Sequence, residues 1–321
     1  MSGKDRVSIG LSAAILAVEV EQPVVLVVSH DGAEDALPFG PFDPAYHRTL
    51  ESGLRKWVGE QTRFDLGYTE QLYTFGDKGR HMPGGGNKGD RVVSVGYLAL
   101  TRKGPETAET RWRSWYHYFP WEDWRDARPA MIDGVILPSL RKFVKDAPDA
   151  EAAELRRERV NLCFGESWDE EKVLERYELL YEAGLVQEYF RDTGKPPRGA
   201  APSQSLGTAM LFDHRRILAT AIARLRGKLK YRPVVFELMA PTFTLLELQR
   251  AVEALAGLRL HKQNFRRLVA EQGLVEGTGK LSAPARGRPA ELFRFRREVL
   301  RERLAPGVRL TPRRARQERG G

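Results

Sequence analysis

The sequence predicts an α/β protein in two parts, a β-rich front domain and a mostly helical back domain that ends in a hairpin. Three observations predict it. Apolar runs without helical spacing occupy the first hundred residues, apolar residues recur at helical intervals from 131 onward, and the charge changes sign between the two parts. A chain of 321 residues exceeds one ordinary core and favours more than one domain. Hydrophobic residues at 41% and charged residues at 30% are a globular mixture, which excludes a disordered or fibrous chain.

Residues 7–28 hold two β-rich runs, VSIGLSAAILAVEV and VVLVVS, broken by Glu21-Gln22-Pro23, and this predicts a hairpin. A polar stretch follows to Pro44, and Tyr46–Gln61 has the composition of a helix. Next come a strand over Tyr68–Phe75, a glycine-rich loop, GDKGRHMPGGGNKGD, and a strand over Arg91–Thr101. The aromatic run RWRSWYHYFPWEDW closes the β-rich domain near residue 125. Residues 131–190 read as helical. Ser167 and Glu170 have capping-box spacing, and Leu174, Tyr177 and Tyr181 recur on one face until Gly184. The Pro/Gly/Ser-rich stretch 194–205 reads as a linker.

Asp213 is placed to cap a helix through Lys230, with Ile217, Ala221 and Leu225 on one face. Thr244 and Glu247 form a second capping box, opening a helix with Leu245, Leu248, Val252 and Leu255 inward and Gly257 past its end. A third helix from about His261 to Gln272 buries Phe265, Leu268 and Val269 and stops at Gly273. Short strands around Leu274–Glu276 and Leu292–Phe295 complete the order of a winged helix-turn-helix. The expected divisions are 1–140, the β-rich domain, for which a family resemblance given below implies effector binding; 141–205, a helical insertion and linker; 206–300, the winged helix-turn-helix; and 301–321, a basic tail.

Residues 1–213 hold 27 Lys+Arg against 34 Asp+Glu, a net of −7, and residues 214–321 hold 25 against 9, a net of +16. This split predicts separate jobs, the back half meeting a polyanion and releasing its counterions. In a helix-turn-helix the last helix enters the major groove. Removing its apolar residues leaves Lys262, Gln263, Asn264, Arg266 and Arg267 as candidate DNA contacts, because Arg pairs with guanine and Asn or Gln with adenine. In the wing, Arg286-Gly-Arg288-Pro289 has the form of a minor-groove arm. The tail, with 7 Arg against 2 Glu, suits non-specific phosphate contact or a solvated end.

Catalytic and metal chemistry find little support. Cys163 is the one cysteine, the six histidines lack ligand spacing, and His214 reads as structural. No apolar run reaches the roughly 20 residues that span a bilayer, and the amino terminus reads as a strand rather than a leader, so the expected location is the cytoplasm.

The run GPFDPAYHRTLESGLRKWVGEQT resembles a Nudix box, in which glutamates on one helix face hold the magnesium that activates water. Counted from Gly40, Tyr46 occupies the first glutamate position. With one inserted residue, Lys56 and Gly59 replace two of the three later glutamates and only Glu60 remains. A lysine ammonium there repels the cation, so the box is degenerate and hydrolysis is not expected. The expected fold is therefore an α/β Nudix-like sandwich followed by a winged helix-turn-helix.

A degenerate Nudix domain followed by a winged helix resembles the Nudix-related transcriptional regulators of NAD metabolism, the NrtR type. The resemblance is carried by FDHRRILATAIARLRGKLKYRPVVFEL at 212–238, FTLLELQ at 243–249, NFRRLV at 264–269 and GRPAELFRF at 287–295, and more weakly by QLYTFGD and RVVSVGYLAL. The segment 131–205, with ERYELLYEAGLV at 175–186, looks like the related NadQ branch. The resemblance implies a homodimeric repressor of NAD-synthesis genes that binds a palindromic operator and responds to an adenine nucleotide, ATP, ADP-ribose or NAD. It places DNA contacts on Asn264, Arg266, Arg267, Arg286, Arg288 and Pro289. A nucleotide pocket needs stacking surfaces and cations, for which the candidates are Phe42, Lys56, Arg63, Tyr73, Arg91, Trp115 and Trp121, with Gly84–Gly86 as backbone phosphate donors. The alternative is an active Nudix-type pyrophosphohydrolase with an accessory nucleic-acid-binding domain.

Overall fold

The computed structural model describes residues 7–29, 34–64, 66–76, 91–195, 206–282 and 289–299. The expected hairpin forms from β1 (Val7–Glu19) and β2 (Gln22–Val28), paired antiparallel with Val18 opposite Pro23. β3 (Phe39–Pro41) pairs with the first half of β1; β4 (Tyr68–Phe75), β5 (Arg91–Leu100) and β6 (Thr110–Ser114) complete a six-stranded sheet. Its order is β4-β5-β1-β2-β6, and β1 runs parallel to β5 at the centre.

β1 is buried continuously from Leu11 to Ala17 because layers cover both faces of the sheet. Leu11, Ala13 and Ile15 pack with Leu54 and Val58 of α1 (Leu50–Thr62), whereas Ala14 and Leu16 face a helical layer on the other side. A strand covered on both faces has no polar side to show, which is why its sequence does not alternate. α1 begins at Leu50, four residues after the expected Tyr46. The Thr49 hydroxyl accepts from the Ser52 amide at 3.0 Å and the Ser52 hydroxyl from the Thr49 amide at 2.9 Å, and this reciprocal cap fixes the start.

The helical layer holds α2 (Leu137–Lys145), α3 (Ala150–Phe164), α4 (Val173–Glu182), α5 (Gln187–Thr193) and α6 (His214–Tyr231). A wide π turn over Ile132–Ile136 leads into α2. Pro138 lacks the N–H of a regular turn there, and the wider turn accommodates it. The capping box expected at Ser167–Glu170 does not form. α4 starts at Val173, and the Glu170 carboxylate is buried against the Lys230 ammonium at 2.8 Å. α6 lies on β1, β4 and β5 and also touches α4 and α7. Asp213 precedes it, yet makes no capping bond and pairs with Arg216 instead.

The winged helix is built from α7 (Leu245–Ala256), α8 (Lys262–Gln272) and the antiparallel pair β7 (Val275–Leu281) and β8 (Glu291–Phe295). Thr244 and Glu247 form the expected capping box, and Gly257 and Gly273 close the two helices in the left-handed conformation. One hydrophobic core runs from Leu16 and Trp115 through Tyr177 and Leu225 to Leu248, Phe265 and Val269. The sheet and the winged helix therefore share buried surface. The expected linker lies almost wholly outside the described residues, as does the tail from 300 onward.

Candidate nucleic-acid interface and effector-binding domain

The inward face of α8 is as expected, with Phe265 and Val269 buried and Leu268 half-buried. Lys262, Gln263, Asn264, Arg266 and Arg267 are all exposed. Burial at i and i+4 leaves the intervening positions pointing outward, so the polar donors stand together on one side. Among the described residues, the ion partner of Arg267 is Glu271 on the same helix, at a loose 3.8 Å. The turn before α8 is fixed by Glu253, which is buried and accepts from the Leu260 amide at 2.9 Å, the Gln249 amide at 2.9 Å and Arg259 at 3.0 Å. In the wing Pro289 is exposed just ahead of β8; Arg286 and Arg288 lie outside the described residues. Lys280 on β7, which the sequence reading did not single out, is also exposed.

Part of the charge split serves the fold itself. All six basic residues of α6 pair with carboxylates of the acidic front part. Arg215 meets Glu188, Arg216 meets Glu178, and Arg224 and Lys228 both meet Glu70. Arg226 meets Glu122, and Lys230 meets Glu170 and Glu171. The basic charge of α6 is thus neutralised by its own chain, whereas among the described residues Lys262 and Arg266 of α8 make no salt bridge.

The degenerate box is packed rather than open. A Cβ on Gly40 would overlap the Trp57 indole, whose Nε1 donates to the Pro41 carbonyl at 2.8 Å. Arg55 is engaged by Glu51 at 2.9 Å and by the Leu66 carbonyl, and hydrogen bonds from Arg55 and Thr69 hold the Glu51 carboxyl below its usual range. Lys56 lies over the Tyr46 ring at 5.8 Å, and Glu60 is exposed. Among the described residues, no cluster of three or more His, Cys, Asp or Glu side chains is placed to hold a metal ion.

The effector candidates do not converge on one pocket. Trp115 and Trp121 are fully buried in the core on the helical side of the sheet, so they are packing residues rather than stacking walls. Phe42 packs on the opposite face, with α1, and its ring lies 5.8 Å from His47. Aromatic side chains bury large apolar areas, and here the core claimed the two tryptophans. Lys56 and Tyr73 are exposed, while Arg63 is the exposed left-handed residue that ends α1. The Arg91 side chain and Gly84–Gly86 lie outside the described residues. A cleft of about 910 Å³ between Leu100–Arg102 of the sheet and Phe236, Phe243 and Phe295 of the winged helix contains none of these candidates.

Sequence reasoning missed the buried polar groups. Glu122, Arg176 and Arg226 are each 0% exposed and form a triad, with Arg176 Nε to Glu122 Oε1 at 2.6 Å and Arg226 Nη1 to Glu122 Oε2 at 2.6 Å. Burial works against the charged form of Arg226, but the Glu122 carboxylate outweighs it and leaves the guanidinium pKa above its ordinary value. The available signal was spacing: Arg215, Ala219, Ile222, Arg226 and Leu229 form one helical stripe, all buried. His214 is buried as expected of a structural residue. The Leu37 amide donates to its Nδ1 at 3.1 Å, and burial, aided by Arg191, lowers its pKa to about 3.

These features define a class: an α/β sandwich fused to a winged helix whose outer helix face is cationic. Residues 235–295 match the family described as the NrtR DNA-binding winged helix domain, so the chain carries an NrtR-type winged helix. A stretch of 92 residues is 45% identical to the ADPR responsive transcriptional repressor NtrR of Acinetobacter baylyi; it covers 29% of this chain and 36% of that relative's length. The whole chain resembles Shewanella oneidensis NrtR solved with a 27mer DNA, at TM-score 0.54 and 20% identity over 94% of this chain and 98% of that one. It also resembles a MutT/nudix family protein from Enterococcus faecalis, at TM-score 0.52 and 16% identity over 92% and 89%. The fold is a Nudix-like sandwich followed by a winged helix. No helix among the described residues is long and apolar enough to cross a membrane.

Proposed function

We propose that this chain is a transcriptional repressor that binds palindromic operator DNA as a homodimer and responds to an adenine nucleotide. The observation that carries the reading is the exposed, largely unpaired set Lys262, Gln263, Asn264, Arg266 and Arg267 on the outer helix of an NrtR-type winged helix. Arg286, Arg288 and Pro289 are assigned to the wing contact, and Lys280 joins them as a phosphate contact. The name of the Acinetobacter baylyi relative, an ADPR responsive repressor, supports ADP-ribose as the first nucleotide to test, with ATP and NAD beside it. Genes of NAD synthesis are the proposed targets. The front domain acts as a sensor rather than a hydrolase, because Lys56 and Gly59 stand at two positions where the box needs metal-binding carboxylates. Phe42, Lys56, Arg63, Tyr73 and Arg91 remain its effector candidates.

The test is a titration at fixed salt of an NAD-synthesis promoter against scrambled DNA, with ATP, ADP-ribose, NAD or no nucleotide. Selective binding changed by one nucleotide is the expected result. Equal binding to both DNAs, unmoved by every nucleotide, would overturn the reading. Magnesium-dependent release of product from ADP-ribose, lost in Glu60→Gln, would establish the hydrolase instead.

A further inference from the structure

The carboxy-terminal end of α7 is a plug in a socket made by the front domain. A helix end leaves carbonyls without intrahelical partners. Here those of Ala254, Leu255 and Gly257 receive the Tyr116 hydroxyl at 2.7 Å, Arg226 Nε at 2.9 Å and the Trp124 amide at 2.8 Å. All three donors belong to the sheet domain or to α6. Gly257 is required at this point, since a Cβ there would overlap the Glu122 carbonyl. The Glu122 carboxylate holds Arg226 in place and is itself gripped by Arg176 of α4 through two bonds, at 2.6 and 2.9 Å. Outside this buried joint, Glu21 at the β1–β2 turn pairs with Arg250 of α7 at 2.9 Å and Arg259 at 3.6 Å.

We infer that Glu122 is a positioning residue for DNA binding: through Arg226 it locks the winged helix to the sandwich as one rigid body, so an effector must act by moving one copy of the chain against another. The inference rests on the proposed reading of a nucleotide-responsive dimer. Beyond this joint the winged helix borders a cleft of about 910 Å³, between Leu100–Arg102 and Phe236, Phe243 and Phe295. A hinge at α7 would first have to expose the buried Glu122–Arg226 pair and three helix-end carbonyls. The carbonyls left unmet and the polar groups uncovered at the joint both cost free energy, which makes swinging the unfavourable route.

The experiment measures the distance between spin labels at Arg111→Cys in β6 and Leu246→Cys in α7, both exposed, in full-length chain diluted with unlabelled chain so that only intrachain pairs report. The native Cys163 is buried and its thiol is raised to about 11, so it does not compete for label. One narrow distribution is expected, unchanged by ADP-ribose, ATP or DNA. Glu122→Gln broadens it and lowers the ratio of specific to non-specific DNA binding about tenfold, while nucleotide binding persists. Should Glu122→Gln fail to fold, Tyr116→Phe removes one plug contact conservatively and should broaden the distribution to a smaller degree. A wild-type distance that shifts with nucleotide would overturn the inference, as would an unchanged distribution and ratio in the folded variants. Failure of the repressor reading is separable, because it would show as absent selective DNA binding in the unlabelled wild type.

Discussion

Helices α6 and α8 are both strongly basic, and the fold uses their cations in opposite ways. α6 carries six basic residues, each paired with a carboxylate of the front part, and two of them, Arg215 and Arg226, are essentially without solvent exposure. α8 carries Lys262, Arg266 and Arg267, all exposed; among the described residues their one ion partner is Glu271, 3.8 Å from Arg267. The first helix binds its own chain and the second is left for a partner. A count of charges treats them alike; the lesson is that net charge points to a polyanion only after internal pairing has been subtracted.

The sharpest way to break this comparison is to remove one arginine from each helix. Arg226→Ala leaves Glu122 buried with one partner fewer, and a loss of about 3–5 kcal/mol in unfolding stability is expected from urea titration. Arg266→Ala should leave stability within about 0.5 kcal/mol of wild type, since its site is exposed. In a DNA titration it should weaken specific binding by about 1–3 kcal/mol if it reads a base, and uniformly across sequences if it touches only phosphate. Equal effects of the two substitutions on stability would refute the division.

A third prediction concerns His214, which shares the amino-terminal end of α6 with Arg215. The imidazole is held neutral, its pKa lowered by burial first and by Arg191 second to about 3, while the unfolded chain titrates near the ordinary histidine value. Between those two values the unfolded state binds the extra proton, so stability falls as the pH falls. From pH 7 to 5 this single group should contribute about 2 kcal/mol of loss. Urea midpoints across that range are expected to flatten in His214→Gln, whose side-chain oxygen can accept from the Leu37 amide. The smallest effect is expected at the rim. Arg224→Ala breaks a pair with Glu70 in which Arg224 is 48% exposed, and it should shift stability by less than about 1 kcal/mol without changing DNA binding.

Much of the fold was legible in the sequence because local rules are strong there. The β1–β2 hairpin, β4 from Tyr68 to Phe75 and the box from Thr244 to Glu247 follow from apolar patterning, β propensity and capping geometry. The outward face of α8 was legible for the same reason: Phe265 and Val269 mark the inside, and the remaining residues must point out. The box at Ser167–Glu170 was misread because capping spacing is only a local offer, and Lys230, 60 residues further on, engages Glu170 instead. Trp115 and Trp121 were misread because a nucleotide pocket and a core ask for the same aromatic residue, and sequence spacing does not say which side of the sheet a residue faces after an irregular turn.

By itself, then, the sequence determined the order of the elements, the winged helix-turn-helix and the identity of its outward helix face. These depend on interactions within a few residues of one another, where geometry is set by the chain. Only the tertiary structure decided which arginines are free, which tryptophans are core and how α7 is seated on Glu122, Arg226 and Tyr116. Those outcomes depend on charges and carbonyls brought together from positions as far apart as Glu21 and Arg259. The strength of such contacts comes from burial, which belongs to the folded chain and not to any segment of it.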